Sequence, residues 1–353
     1  MSADVTRIEL AKALKSIKAI ATPTQFEETK KLYIQEGGEE SVMSAVNGLS
    51  EEDEFSMLTK LLNTATHIIG LEQRPLIEGE YIVPDLFVNL KMGNAVNGKS
   101  AKDFGEYKCL IEVKSTEKDN FKIGGSRLKR LRNISDLMGF PLLFAIRFLR
   151  AKQNAFWAII EDDRSSTSLN VTYQAAIDGV RNVVWNEYIL TPNPNLIIKC
   201  EFSKSATINS IQHNEYGNQL SATFTDGTNT LTQNSSEAFM TCGLLETYNL
   251  QEIKVEKIND DKTIQYLRPT LGSAFLADLI YKMNNLIVDE FGNVVYDASK
   301  LVVRSDTGAH ETLVNRQLIE VLAKPLVDKK LLFIGAIGDL DKQLNKWKEF
   351  GGK

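Results

Sequence analysis

The sequence predicts an α/β protein built on a mixed sheet flanked by helices, extended by an additional α+β C-terminal region. Three observations lead there. Apolar stretches of the buried-strand kind recur between residues 67 and 160, a helical pattern separates two of the strongest, and beyond residue 200 Asn, Thr, Ser and Gly alternate with apolar positions. A helix between two strands of one sheet is the connection that allows them to run parallel.

The elements follow in order. Ile8, Leu10, Ala11, Leu14, Ile17 and Ile20 recur at helical spacing, Thr22-Pro23-Thr24 breaks the pattern and Gln25 to Tyr33 resumes it, so residues 1–49 form an N-terminal helical segment. Ser50 before Glu51, Glu52 and Asp53 reads as a capped helix start, with Phe55, Leu58, Leu61, Leu62 and Ala65 as the apolar stripe behind it. Strands are predicted over 67–71, 80–90 and 107–115, with a polar loop over 91–102. Gly124-Gly125-Ser126 opens a helix that Gly139 ends, its inward positions being Leu128, Leu131, Ile134 or Ser135, and Met138. Strands over 141–148 and 155–160 follow, then a helix over 172–179 and a strand over 183–190, which closes a core unit of residues 50–200. Residues 201–353 show hairpins over 208–230 and around Asp260-Asp261, and amphipathic helices over 271–286 and 311–326. No motif marks this region, and recognition, dimerisation or regulation is its expected role.

Composition narrows the class. The chain has 353 residues, 43% hydrophobic and 25% charged, as in soluble globular proteins. It contains no run of eighteen apolar residues, and Met1-Ser2-Ala3-Asp4 opens no basic-then-apolar leader, so the expected address is cytoplasmic, without a membrane partner. Cys109, Cys200 and Cys242 are scattered, as are His67, His213 and His310, which argues against a disulfide framework and against zinc-ligand spacing. Cys109 reads as a buried thiol. Net charge is −5, yet between Lys102 and Lys152 basic residues outnumber acidic ones about two to one, and such a local surface can meet phosphates on an acidic protein.

Two strings then stand out, Val83-Pro84-Asp85 and Ile111-Glu112-Val113-Lys114. Residues two apart on a strand share a face, so Glu112 and Lys114 project together and Ile111, Val113 and Ser115 project oppositely. A hard divalent cation takes carboxylate oxygens, which Asp85 and Glu112 supply, and an ammonium such as Lys114 relieves charge building on a phosphorane. Ordinary readings exist for each. Pro-Asp occurs in turns, Glu-x-Lys is commonly a surface pair, and Arg127, Lys129, Arg130 and Arg132 have the pattern of a solvated helix face. Here, however, the charges interrupt Leu86-Phe87-Val88 and Cys109-Leu110-Ile111, segments with the character of central strands, and buried charge is costly unless paired or metal-bound.

These residues resemble the PD-(D/E)xK nuclease superfamily over roughly residues 50–160, which implies a restriction-endonuclease-like core. The resemblance implies that Asp85 and Glu112 bind Mg²⁺, with Mn²⁺ as a substitute, and that Lys114 positions or activates the attacking water. It assigns Glu54, or Glu51 in its place, as the carboxylate of the upstream helix that joins catalysis and metal binding, and Arg127, Lys129 or Arg130 as phosphate contacts. The function implied is a metal-dependent endonuclease acting on DNA rather than RNA, in restriction or antiviral defence, as a homodimer. Two alternatives stand beside it: a catalytically inactive nucleic-acid-binding or scaffold protein with the same fold, and a nuclease effector activated by a partner protein or ligand.

Overall fold

The computed structural model describes residues 10, 13, 14, 17, 21–33, 51–71, 81–92, 105–148, 156–176, 180–207, 212–284 and 314–335. Ser50, the interior of the 91–102 loop and the basic residues Lys102, Arg150 and Lys152 lie outside them. Helix α1 (Pro23–Tyr33) starts where the sequence pattern broke. Thr22 and Gln25 form a reciprocal capping box there, the Thr22 amide donating to Gln25 Oε1 at 3.0 Å and the Gln25 amide to Thr22 Oγ1 at 3.3 Å, and proline suits a first helical position. Helix α2 occupies residues 51–61.

The first sheet holds β1 (Ala65–Gly70), β2 (Leu86–Met92), β3 (Gly105–Thr116), β5 (Leu142–Phe148) and β6 (Phe156–Glu161), side by side in that order. Only β3 and β5 run parallel, joined through β4 (Asn120–Ile123) and helix α3 (Gly125–Met138). The sheet is therefore mixed, with a helix on each face. Leu110 of β3 packs with Leu128 and Leu131 of α3, while Cys109, Ile111 and Val113 pack with Phe55, Leu58 and Leu62 of α2. Helix α3 buries Leu128, Leu131, Ile134 and Ser135; Met138, expected inside, is 41% exposed because the helix ends at Gly139 as the chain turns back towards β5.

Three further expectations shift. The strand expected over 80–90 begins at Leu86 and continues through Met92, because Pro84 has no N–H to donate and the chain before it follows α3, the Ile82 amide donating to the Arg130 carbonyl at 3.1 Å. The helix expected over 172–179 starts as strand β7 (Leu169–Thr172), pairs with β4, and passes into a short α4 (Tyr173–Ala176). The strand expected over 183–190 is helix α5 (Arg181–Val184) followed by β8 (Ile189–Pro192).

The second sheet is antiparallel throughout: β10 (Gln212–His213), β11 (Gly217–Thr225), β9 (Ile197–Ser203), β14 (Lys262–Pro269) and β13 (Leu250–Lys257) in that order, with β12 (Thr230–Asn234) on β11. Helix α6 (Ser235–Glu246) covers one face of it. β15 (Ala274–Phe275) leads into α7 (Leu276–Met283), and α8 (Arg316–Asp328) into β16 (Leu332–Gly335); β15 and β16 flank β8 in a third small sheet. One apolar core runs from Phe55 of α2 through Ile111 and Trp185 to Phe224, Leu245, Ile280 and Leu332, so the two sheets share an interior. No described helix is long and apolar enough to cross a membrane.

Candidate metal and phosphate site

β2 and β3 pair from Met92 opposite Gly105 to Leu86 opposite Ile111, and there they part. At the fork Asp85 Oδ2 accepts the Val113 N–H at 2.6 Å, so a side-chain oxygen stands where a ladder carbonyl would otherwise continue. This bond seats the Asp85 carboxylate beside the next turn of the pleat. Glu112 and Lys114 arrive on the α3 side of β3, as period-two alternation requires.

The Lys114 ammonium sits 2.9 Å from Glu112 Oε1, 3.2 Å from Asp85 Oδ2 and 2.6 Å from the Val113 carbonyl oxygen. Arg127 Nη2 donates to the same Glu112 Oε1 at 2.9 Å from the first turn of α3. Asp85 and Glu112 are buried, at 4% and 1% exposure, while Lys114 stays about three-tenths exposed at the mouth. Burial raises the Asp85 carboxyl to about 6, with Lys114 opposing the rise and Glu112 adding to it. Burial alone would lower the Lys114 pKa, but the two carboxylates outweigh it and hold the ammonium above its ordinary value.

The donor set suits a hard cation. Two carboxylates and one carbonyl already surround a positive charge, and Glu112 Oε2 is buried without a hydrogen-bond partner, a costly state that a bound cation would relieve. Among the described residues no three His, Cys, Asp or Glu side chains gather around one point, so water and phosphate oxygens would complete the coordination.

The structure does not bring Glu54 to this site. Helix α2 lies on the opposite face of the sheet, and Glu54 Oε1 accepts from Arg147 Nε of β5 at 3.0 Å, from Trp157 Nε1 of β6 at 3.0 Å and from the Tyr281 hydroxyl of α7. All four side chains are buried, and Trp157 Nε1 also reaches the Tyr281 oxygen at 2.7 Å. Glu51, one turn earlier, is buried on the same side of the sheet as Glu54. Burial raises its carboxyl pKa, and a hydrogen bond with the Ser115 side chain and the charges of Arg147 and Lys114 act against that rise. Of the basic helix residues, Arg127 joins the site, Arg130 turns to the Tyr81 carbonyl at 3.4 Å, and Lys129 lies on the exposed face. Arg132 is structural: it grips Asp162 with Nε and Nη2 at 2.8 and 2.7 Å. Sequence reasoning missed the cluster around Glu54, although a lone arginine inside the apolar run Leu142–Phe148 was its visible sign.

No protein-family model and no curated protein matches the chain. Among solved structures, a Holliday junction resolvase from Archaeoglobus fulgidus is similar at 13% identity and a TM-score of 0.23, over 35% of this chain and 89% of that one.

Proposed function

We propose that the protein is a Mg²⁺-dependent nuclease that hydrolyses phosphodiester bonds, with DNA as its substrate ahead of RNA. One observation carries the reading: Asp85, Glu112 and the Val113 carbonyl converge on a single positive charge while Glu112 keeps a buried oxygen without a partner. Asp85 and Glu112 would hold the ion, which when bound polarises a phosphate oxygen and acidifies a water molecule. Lys114, exposed at the mouth, orients the attacking water and offsets charge on the phosphorane. Arg127, half exposed beside Glu112, is placed for a flanking phosphate oxygen. The preference for DNA, the use of Mn²⁺ and a setting in restriction or defence follow the resemblance to PD-(D/E)xK nucleases. A second reading, a nucleic-acid-binding protein without catalysis, draws on the engagement of Glu54 with Arg147, which leaves two acids at the fork.

Purified protein incubated with supercoiled DNA, linear DNA and RNA, under Mg²⁺, Mn²⁺ and EDTA, separates the two. Cleavage that needs the metal and falls by about 10³-fold in Asp85→Ala and Lys114→Ala is the expected outcome. Binding without cleavage under any metal would establish the second reading.

A further inference from the structure

Among the polar contacts between the C-terminal region and the core, one is buried at unusual cost. Glu54, Arg147, Trp157 and Tyr281 come from α2, β5, β6 and α7, and each is no more than 2% exposed. A buried ion pair of this kind is a weak source of stability, and three donors from β5, β6 and α7 meet on one carboxylate oxygen of Glu54 in α2. Glu51 is buried one turn away on the same helix, on the side of the sheet that carries Ser115, the residue after Lys114. Arg147 stands directly opposite Ser115 in the β3–β5 register, so the cluster and the fork are back to back across one sheet. α7 is itself anchored at its start, where the Ala277 amide donates to Glu187 Oε1 at 3.1 Å and Glu187 is held by Arg181 at 2.7 Å.

We propose that Tyr281 is a positioning residue of the nuclease site: by donating to Glu54 from α7, it holds α2 so that the Glu51 charge stays behind Ser115 and Lys114. The C-terminal region is thereby part of the catalytic geometry, and whatever displaces α7 weakens the cation site. This rests on the nuclease reading above. Tyr281→Phe removes the hydroxyl and keeps the ring. Tyr248→Phe is the control, since Tyr248 is an equally buried tyrosine whose hydroxyl donates to the Leu190 carbonyl at 3.0 Å, away from Glu54.

Two readouts on the full chain decide the matter: Mn²⁺ affinity by calorimetry, and plasmid cleavage resolved into kcat and KM. In Tyr281→Phe the Mn²⁺ Kd is expected to rise about fivefold and kcat to fall about tenfold at constant KM, as in Glu51→Gln. The double variant should be no worse than Glu51→Gln, and Tyr248→Phe should match wild type. Wild-type values in Tyr281→Phe, equal losses in Tyr248→Phe, or additive losses in the double variant would overturn the positioning role and leave the nuclease reading intact. A wild-type protein that neither binds Mn²⁺ nor cleaves overturns both.

Discussion

Asp85 combines two duties in one side chain, ending a strand ladder through the Val113 amide and facing the Lys114 ammonium. Its carboxyl is raised from 3.8 to about 6, so the folded state keeps a proton that the unfolded state has already lost between those values. Stability attributable to this group therefore falls as pH rises from 3.8 towards about 6, and stays reduced above it. In Asp85→Asn that loss disappears, and the variant is expected to melt about 2–4 °C above wild type at pH 8 while losing hydrolysis. Scanning calorimetry at pH 5 and 8 checks it; a variant less stable than wild type at pH 8 refutes the account. On the proposed nuclease reading, Mn²⁺ affinity should rise as pH climbs past about 6, where the metal-free Asp85 carboxyl ionises, and calorimetric titration at pH 5 and 8 checks it. At this scale much was legible. Asp85, Glu112 and Lys114 are charges interrupting apolar strands, and burial forces such charges into a pair or onto a metal. Glu54 and Glu51 were not separable, because both belong to one acidic helix start and only the packing of α2 decides which face meets β5. The shared burial of Cys200 and Cys242 was hidden as well: the two thiols enter one apolar core only because α6 folds over β9 and β11.

Among elements, α3 sets the position of Arg127 and depends on glycine at both ends. Gly139 closes it at φ 70°, a left-handed conformation that costs side-chain-bearing residues. Gly139→Ala should lose about 1 kcal/mol in urea unfolding, with Asn in its place recovering part of that. Gly125 has a different constraint, since an added Cβ would stand 2.8 Å from the Thr167 carbonyl oxygen. Gly125→Ala is expected to push the first turn of α3 outwards and separate Arg127 from Glu112, lowering nucleic-acid affinity more than it lowers thermal stability; unchanged affinity in a filter-binding titration would count against this. The sequence disclosed α3, the parallel β3–β5 pair and the β13–β14 hairpin, because long amphipathic periods and a turn at Asp260-Asp261 are local signals. It concealed β7, α5 and the late start of β2. Four-residue elements carry too little period to be read, and the departure of residues 81–84 is decided by α3 across the fold.

For the molecule as a whole, the expected division at residue 200 does not coincide with a break in the interior. β9 begins at Ile197, β8 pairs with β15 and β16, and the apolar core passes from α2 to α8 without interruption. A chain ending at residue 200 would strip Trp185, Tyr188 and Leu190 of their C-terminal neighbours, and is expected to be insoluble or to lack near-ultraviolet ellipticity. The full chain should unfold in urea with coincident near- and far-ultraviolet transitions; two separated transitions would show independent units. The contact between Glu54 and Tyr281 also has a consequence in time. Its partners are 227 positions apart, and Trp157 precedes Tyr281 by 124. At a synthesis rate of about 5–20 residues per second, roughly 6–25 s separate the emergence of these two side chains from the ribosome. Throughout that interval the nascent sheet carries its acids without the last donor of the cluster, so the geometry around Glu54 is completed only once Tyr281 has been made.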